Sequence, residues 1–268
     1  MFFDAHIHSM ASPDSEMDPV DVVLALKSKG LGTTFTEHVD FVTPTKGKDL
    51  TATDAPKGAK DFVCDFDMYP ARYRYLRSNS VLLGLEIALT AAYHELNIQT
   101  ASQDYDFILG SIHFVDGYDI FYETSKMEAE SFCCRYLTYS LEMVELCGFF
   151  DSFAHIDYIT RYSEQADKHF IYHNYPKEFD ALLKAIADRD LAIEINTARF
   201  ANSKAAKKLL PIYIRFRELG GRYVTIGSDA HKKFALGRFY GKAVEMAKMA
   251  GLTPVYYKNR KRLICKPI

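Results

Sequence analysis

Short apolar runs rich in β-branched residues alternate along this chain with stretches of helical periodicity, nearly from end to end. The runs Phe2–Ile7, Thr33–Thr36, Val81–Ile87, Phe107–Ile112, Phe150–Ile156, Leu191–Ile195 and Tyr223–Gly227 predict strands. Between the first two lies DPVDVVLALKSKG, with an acidic first turn, Pro19 near its start and Gly30 as its stop, which predicts a helix. Further helices are predicted over Ala71–Asn79, Lys126–Cys147, Tyr175–Arg189, Ser203–Leu219 and Ala235–Ala250. Strand and helix in alternation argue a parallel sheet with helices outside, and seven such units suggest a closed or nearly closed α/β barrel. The segment Val42–Asp65 is rich in Pro, Gly, Thr and Lys and reads as a long loop over a site. No internal repeat and no second domain is evident, so residues 1–268 are read as a single domain.

Composition narrows the function classes. With 268 residues, 48% of them hydrophobic, the chain can bury a large core. A net charge of −2 announces neither a nucleic-acid nor an anionic-membrane partner. The run YYKNRKRLICK, Tyr256 to Lys266, reads as a solvated terminal segment rather than a binding groove. MFFDAHIHSM lacks a basic start and a sustained apolar stretch, so no export signal is expected, and no apolar run reaches the length of a membrane span. Five cysteines without CxxC spacing favour reduced thiols and a cytoplasmic setting.

The chemistry is concentrated where the predicted strands end. DAHIHS ends the first strand, and in a strand residues i and i+2 share a side, so His6 and His8 present two imidazoles together. The second strand ends in TEH with His38, the third in GLE with Glu86, and the fourth in SIH with His113. The fifth gives HID with His155 and Asp157, the sixth EIN with Glu194 and Asn196, and the seventh GSDAH with Asp229 and His231. In a parallel barrel the C-terminal strand ends meet on one face, so these scattered side chains would converge there. Imidazoles with carboxylates suit zinc, iron or manganese, and the ligands suffice for two or three ions, with Glu86 or Asp229 able to bridge. Such a centre activates water, clamps an anionic oxygen and balances charge in an in-line displacement, which points to hydrolysis of phosphate esters.

DAHIHS, TEH, GLE, GSIH, AHID, EIN and GSDAH, in this order from Asp4 to His231, resemble the motifs of the PHP superfamily, named for polymerase and histidinol phosphatase. The resemblance implies a distorted (β/α)7 barrel, a single PHP metallohydrolase domain, with three divalent metal ions, zinc first among them and manganese or iron as alternatives. It implies that His6, His8, Glu86 and Asp229 hold one metal and that Glu86 bridges to a second held also by His113 and His155. His38 and His231 resemble ligands of the third. Asp14 stands where many members have histidine, and it resembles the aspartate of the histidinol-phosphatase branch. SPDS, FTEHVDF, GSIHFVDG, HIDYITRY and EINTARF are similar to that branch too, which implies hydrolysis of L-histidinol phosphate by metal-held hydroxide. A PHP phosphoesterase or exonuclease acting on another ester is the alternative.

For such a substrate Arg161 and Arg199 are expected to clamp phosphate, since a dianion needs cationic partners and Arg offers a fork of donors. Asp229 and His231 are candidates to protonate the departing alkoxide. Asp4, Glu37, Asp157 and Asn196 fit a supporting role, accepting imidazole N–H bonds or bracing carboxylates. Asp116 and Asp119 in FVDGYD are places to seek recognition of the amino alcohol and imidazole. The expected partner is thus a small phosphate monoester, with neither nucleic acid nor membrane.

Overall fold

The computed structural model describes residues 1–41 and 63–266; most of the expected loop Val42–Asp65 lies outside the described residues. The strands are β1 (Phe2–Ile7), β2 (Leu31–Val39), β3 (Val81–Ala88), β4 (Phe107–Ser111), β5 (Phe114–Val115), β6 (Tyr118–Asp119), β7 (Ser152–Phe153), β8 (Ala192–Asn196), β9 (Tyr223–Gly227), β10 (Thr253–Lys258) and β11 (Lys261–Ile264). The helices are α1 (Pro19–Ser28), α2 (Tyr69–Tyr73), α3 (His94–Ala101), α4 (Ile120–Glu123), α5 (Ala129–Leu146), α6 (Glu164–His169), α7 (Pro176–Asp188), α8 (Ser203–Glu218) and α9 (Tyr240–Met249).

One sheet runs β1-β2-β3-β4-β7-β8-β9-β10-β11. Every pair from β1 to β10 is parallel, and β5 and β6 form a separate antiparallel hairpin. The sheet curls back on itself at the C-terminal strand ends. There a parallel bridge joins Ile7 to Ala230, the His8 N–H donates to the Ala230 carbonyl (3.1 Å), and the Asp229 N–H donates to the His6 carbonyl (2.8 Å). At the opposite end β10 pairs with the start of β9, and Tyr256 stacks on Phe3 of β1 at 4.2 Å between ring centroids. β10 thus joins the ring on one side only, and the seven-stranded barrel is distorted.

Local sequence explains the elements that position the site. Asp18 caps α1, its carboxylate accepting the N–H groups of Val20 (2.8 Å) and Asp21 (3.2 Å), while Pro19 occupies the first turn and Gly30 leaves at φ +71°. The apolar faces of α5, α7 and α8 cover the sheet through Tyr136, Leu137, Leu182, Leu183, Ile212 and Phe216, all essentially inaccessible to solvent.

Several expected boundaries differ. The fifth strand keeps only Ser152–Phe153, because the His155 N–H turns to the Glu194 carboxylate (2.7 Å) instead of a ladder carbonyl. The helix expected over Ala71–Asn79 is Tyr69–Tyr73; Ser78, Asn79 and Ser80 form the turn into β3, with the Ser78 N–H on the Val81 carbonyl (2.9 Å). The helix expected from Ala235 begins at Tyr240, since Gly237 and Phe239 take positive φ (62° and 51°) and break the turn. The basic terminal run is no loose segment. It folds as the β10–β11 hairpin around Asn259 and Arg260, both at positive φ, with Val255 and Tyr257 buried. No helix among the described residues is long and apolar enough to cross a membrane.

Candidate metal centre and phosphate cavity

The curled sheet brings all nine expected ligands to one place. His6 and His8, on one side of β1 and its extension, hold their Nε2 atoms 3.0 Å apart. Glu86, near the end of β3 and inaccessible to solvent, lies at the middle. Its Oε2 is 3.1 Å from His6 Nε2, 3.4 Å from His8 Nε2 and 3.2 Å from His38 Nδ1. Its Oε1 is 2.8 Å from His155 Nε2 and 3.2 Å from His113 Nε2. Asp229 Oδ1 stands 3.6 Å from nitrogens of His6, His8 and His231. Asp14 Oδ2 lies 2.9 Å from His231 Nε2 and 3.4 Å from His38 Nε2, at the more open rim. The donor atoms gather into overlapping groups: His6, His8 and Glu86; His6, His155 and Asp229; Glu86, His113 and His155; His38, Asp40 and His113; and His8, Asp14, His38 and His231.

Their supports were only partly foreseen. Asn196 does brace carboxylates, its Nδ2 donating to Glu194 (3.1 Å) and Asp229 (3.2 Å). The remaining three work differently from expectation. Asp4 accepts the backbone N–H groups of Ser228 (2.8 Å) and Gly237 (2.9 Å), and so fixes the loop bearing Asp229. Glu37 accepts from the Ser9 and Ser12 hydroxyls, and Ser12 Oγ in turn lies 3.3 Å from His8 Nδ1. Asp157 pairs with Arg199 (3.2 Å), not with an imidazole or a carboxylate. The imidazole partners are instead Glu194, which takes His6 Nδ1–H at 2.7 Å, and Asp40, which takes His113 Nδ1–H at 2.6 Å. Asp40 follows His38 at the same two-residue step that made DAHIHS informative, and that signal would have found it.

Above the cluster opens a cavity of about 310 Å³. Its floor is Asp14, His38, Asp40, Glu86, His113, His155, Asp229 and His231, and its far wall is Phe114, Asp119, Phe121, Tyr122, Tyr158 and Tyr162. Arg161 reaches into it, with one guanidinium nitrogen 2.7 Å from Asp229 Oδ2 and the plane 5.0 Å from the Tyr158 ring centroid. Its Nε and Nη2 are buried and have no hydrogen-bond partner among the described residues. Arg199 does not line this cavity: Asp157, Thr160 and Asp167 occupy its guanidinium and point it into the 157–167 segment. Of the two acids in FVDGYD, Asp119 faces the cavity, whereas Asp116 forms a two-pronged pair with Arg135 on the outside.

Electrostatics decides whether this donor set fits cations. His6 and His113 each hold Nδ1 against a carboxylate and Nε2 toward another imidazole nitrogen, 3.0 and 3.4 Å away, and without a cation the surrounding carboxylates raise both imidazoles, His113 to about 9. Donor atoms around tetrahedral zinc, at about 2.0–2.1 Å from the metal, stand roughly 3.3 Å apart. His8 is pushed down to about 3 by burial and by His38 and His231, so its imidazole is neutral and free to ligate. Burial alone would raise Glu86 and Asp229, yet the surrounding imidazoles, with Arg161 beside Asp229, hold both well below the usual carboxylate range. Several buried carboxylates that draw positive charge onto His6, His38 and His113, beside a neutral His8, fit divalent cations. They do not fit an empty polar core.

Gly227 makes the convergence possible. A Cβ there would stand 2.3 Å from both His6 Cβ and Glu194 Oε1. Gly227→Ala is expected to cost about 1–3 kcal/mol of stability through overpacking and to spread the His6–Glu194 pair. Thermal unfolding together with metal content per chain checks this; wild-type values in both would refute it.

Comparisons with known proteins agree with this geometry. The family model described as PHP domain matches residues 4–198. A Clostridium acetobutylicum protein named "probable histidinol-phosphatase" is 39% identical over 97% of this chain and 98% of its own length. A histidinol-phosphatase of Lactococcus lactis subsp. lactis is 29% identical over 85% of this chain and 83% of its own. The crystal structure of histidinol phosphate phosphatase from that organism, complexed with zinc, L-histidinol and phosphate, superimposes with a TM-score of 0.77. It is 26% identical and covers 97% of this chain and 98% of that one. A second solved chain, from Listeria monocytogenes, is 18% identical over 89% of this chain and 98% of its own with a TM-score of 0.70, and shares the fold. The motif order, the curled parallel sheet with its histidine–carboxylate cluster, and full-length similarity at 39% identity lead to one conclusion: this chain belongs to the PHP domain family.

Proposed function

We propose that this protein hydrolyses L-histidinol phosphate to L-histidinol and phosphate with the help of three divalent metal ions, and that it does so in the cytoplasm. The observation that carries this reading is the cavity floored by the histidine–carboxylate cluster and lined also by the Arg161 guanidinium. An anion that enters it meets a guanidinium beside the residues that would hold the metals. Full-length similarity to proteins named as histidinol-phosphatases supports the choice of ester.

His6, His8 and Glu86, with Asp229 beside His6, would hold one metal; Glu86, His113 and His155 a second; and Asp14, His38 and His231, next to His8, the third. Bound there, divalent ions lower the pKa of water and offset charge on the phosphoryl oxygens. Glu194 and Asp40 fix the tautomers of His6 and His113 and keep each Nε2 lone pair directed inward. Arg161 binds the phosphoryl oxygens and spreads their developing charge. Asp229 is the acid–base group of this reading: its carboxylate would take the proton of the attacking water and return it to the departing alkoxide oxygen. His231 sits against Asp14 at the open rim and binds rather than donates. The aromatic far wall excludes bulk water from the leaving group.

Phosphate release is measured for L-histidinol phosphate, a panel of other monoesters and a short oligonucleotide, before and after chelation and after return of zinc, manganese or iron. The expected outcome is a kcat/KM at least about 100-fold higher for L-histidinol phosphate than for monoesters lacking the imidazole and amine. Chelation abolishes the rate and metal restores it. Faster turnover of another ester, or full activity in the chelated protein, overturns the proposal.

A further inference from the structure

The two-stranded hairpin that follows His113 carries a carboxylate over the cavity that takes no part in the histidine cluster. Phe114 pairs with Asp119 and Val115 with Tyr118, around Asp116 and Gly117, both at positive φ (53° and 82°). This is a two-residue turn of the kind that an Asp-Gly pair favours. The Ile120 N–H donates to the His113 carbonyl (3.0 Å), which ties the returning strand to the end of β4. Asp119 is thereby held at a fixed position beside the metal floor while belonging to none of the cation-holding groups.

We infer that Asp119 is the specificity residue that receives the cationic part of the leaving group, its amine or protonated imidazole, while Phe121, Tyr122 and Tyr162 cover the ring. The inference rests on the proposed hydrolysis of L-histidinol phosphate.

The carboxylate's own contacts leave room for this. Asp119 Oδ1 accepts the Phe121 N–H (2.8 Å) as the cap of α4, and no Lys or Arg among the described residues forms an ion pair with it. Burial raises its carboxyl above the ordinary value, and the backbone bonds offset only part of that. A ligand cation would compensate the buried charge better than those amides do. Around it Phe121 meets Tyr162 edge to face, with centroids 4.9 Å apart, and stands 4.8 Å from Tyr122. Phe121 is 53% and Tyr122 37% exposed, so aromatic surface remains open at the mouth for a flat ring. Anion-binding groups lie on one side of the cavity and a carboxylate with aromatic rings on the other. A molecule with phosphate at one end and a cationic imidazole amino alcohol at the other matches that division of charge.

Asp119→Asn tests it, because asparagine still caps α4 and keeps the hairpin. The measured quantity is the ratio of kcat/KM for L-histidinol phosphate to kcat/KM for an uncharged alkyl phosphate, with L-histidinol binding followed separately by calorimetry on the metal-loaded protein. Loss of one charge-assisted contact is expected to lower the ratio about 10- to 100-fold, mainly through KM, and to weaken L-histidinol to a similar degree. Asp119→Glu restores part of the ratio. An unchanged ratio, whether both substrates suffer equally or neither does, overturns the inference, as does unaltered L-histidinol binding. Wild-type protein inactive on L-histidinol phosphate would instead defeat the proposed activity, a separate result.

Discussion

Glu86→Gln is expected to lower phosphate release by at least about 10³-fold and to reduce the metal content of the purified protein. The reason is position more than charge. Both oxygens of Glu86 lie within 3.4 Å of imidazole nitrogens, His6, His8 and His38 on one side and His113 and His155 on the other. An amide keeps one acceptor and turns the other atom into a donor, directed at those nitrogens. It also removes one negative charge from a fully buried site, so two adjoining metals would lose their shared anion together. Elemental analysis and single-turnover phosphate release check the two parts, with circular dichroism to confirm that the variant folds. A folded Glu86→Gln protein with wild-type metal content and rate would mean that the carboxylate only neutralises imidazolium ions, and the shared-ligand arrangement would fall.

The site was legible to the degree that its residues end strands. Side chains at i and i+2 of a strand share a face, and all strands of a parallel barrel end on the same face. Those two rules suffice to bring His6, His8, His38, Glu86, His113, His155, Asp229 and His231 together without any knowledge of contacts. What they do not reveal is which carboxylate serves which imidazole. Asp4, Glu37 and Asp157 are as well placed by pattern as Glu194 and Asp40, yet the first three turn to backbone amides, hydroxyls and a guanidinium. Which partner wins depends on side-chain direction and on loops that approach from distant sequence. Ser228 and Gly237 lie more than 220 residues from Asp4, which binds them both. Arg199 misleads for a similar reason: three positions after Asn196 it looks free, but Asp167, on α6, captures it. The β10–β11 hairpin is hidden by its turn, Asn259-Arg260, since arginine at positive φ gives no turn signal where an Asn-Gly pair would have. The basic residues that suggested a solvated segment are held instead: Arg260 by Asp151 (2.7 Å) and Arg262 by Asp190 (2.5 Å).

The second large effect is expected at Arg161. Arg161→Met preserves much of the side-chain volume and its contact with Tyr158 but removes the guanidinium, and kcat/KM should fall about 10²- to 10³-fold. The split between kcat and KM carries the information. A group that merely attracts the dianion would raise KM and leave kcat near its starting value; one that meets charge developing on the phosphoryl oxygens lowers kcat as well. Both are expected, because the guanidinium lies 2.7 Å from Asp229 at the floor and also lines the cavity, so a phosphoryl group held over the cluster meets its charge. Arg161→Lys should recover only a small part, since a point charge cannot hold Asp229 and a phosphoryl oxygen in the same plane. Inhibition by inorganic phosphate supplies an independent measure and should weaken in parallel with KM. If Arg161→Met left phosphate affinity and both kinetic constants unchanged, the guanidinium would serve Asp229 alone and the anion would be bound by the metals without help from the protein's cations.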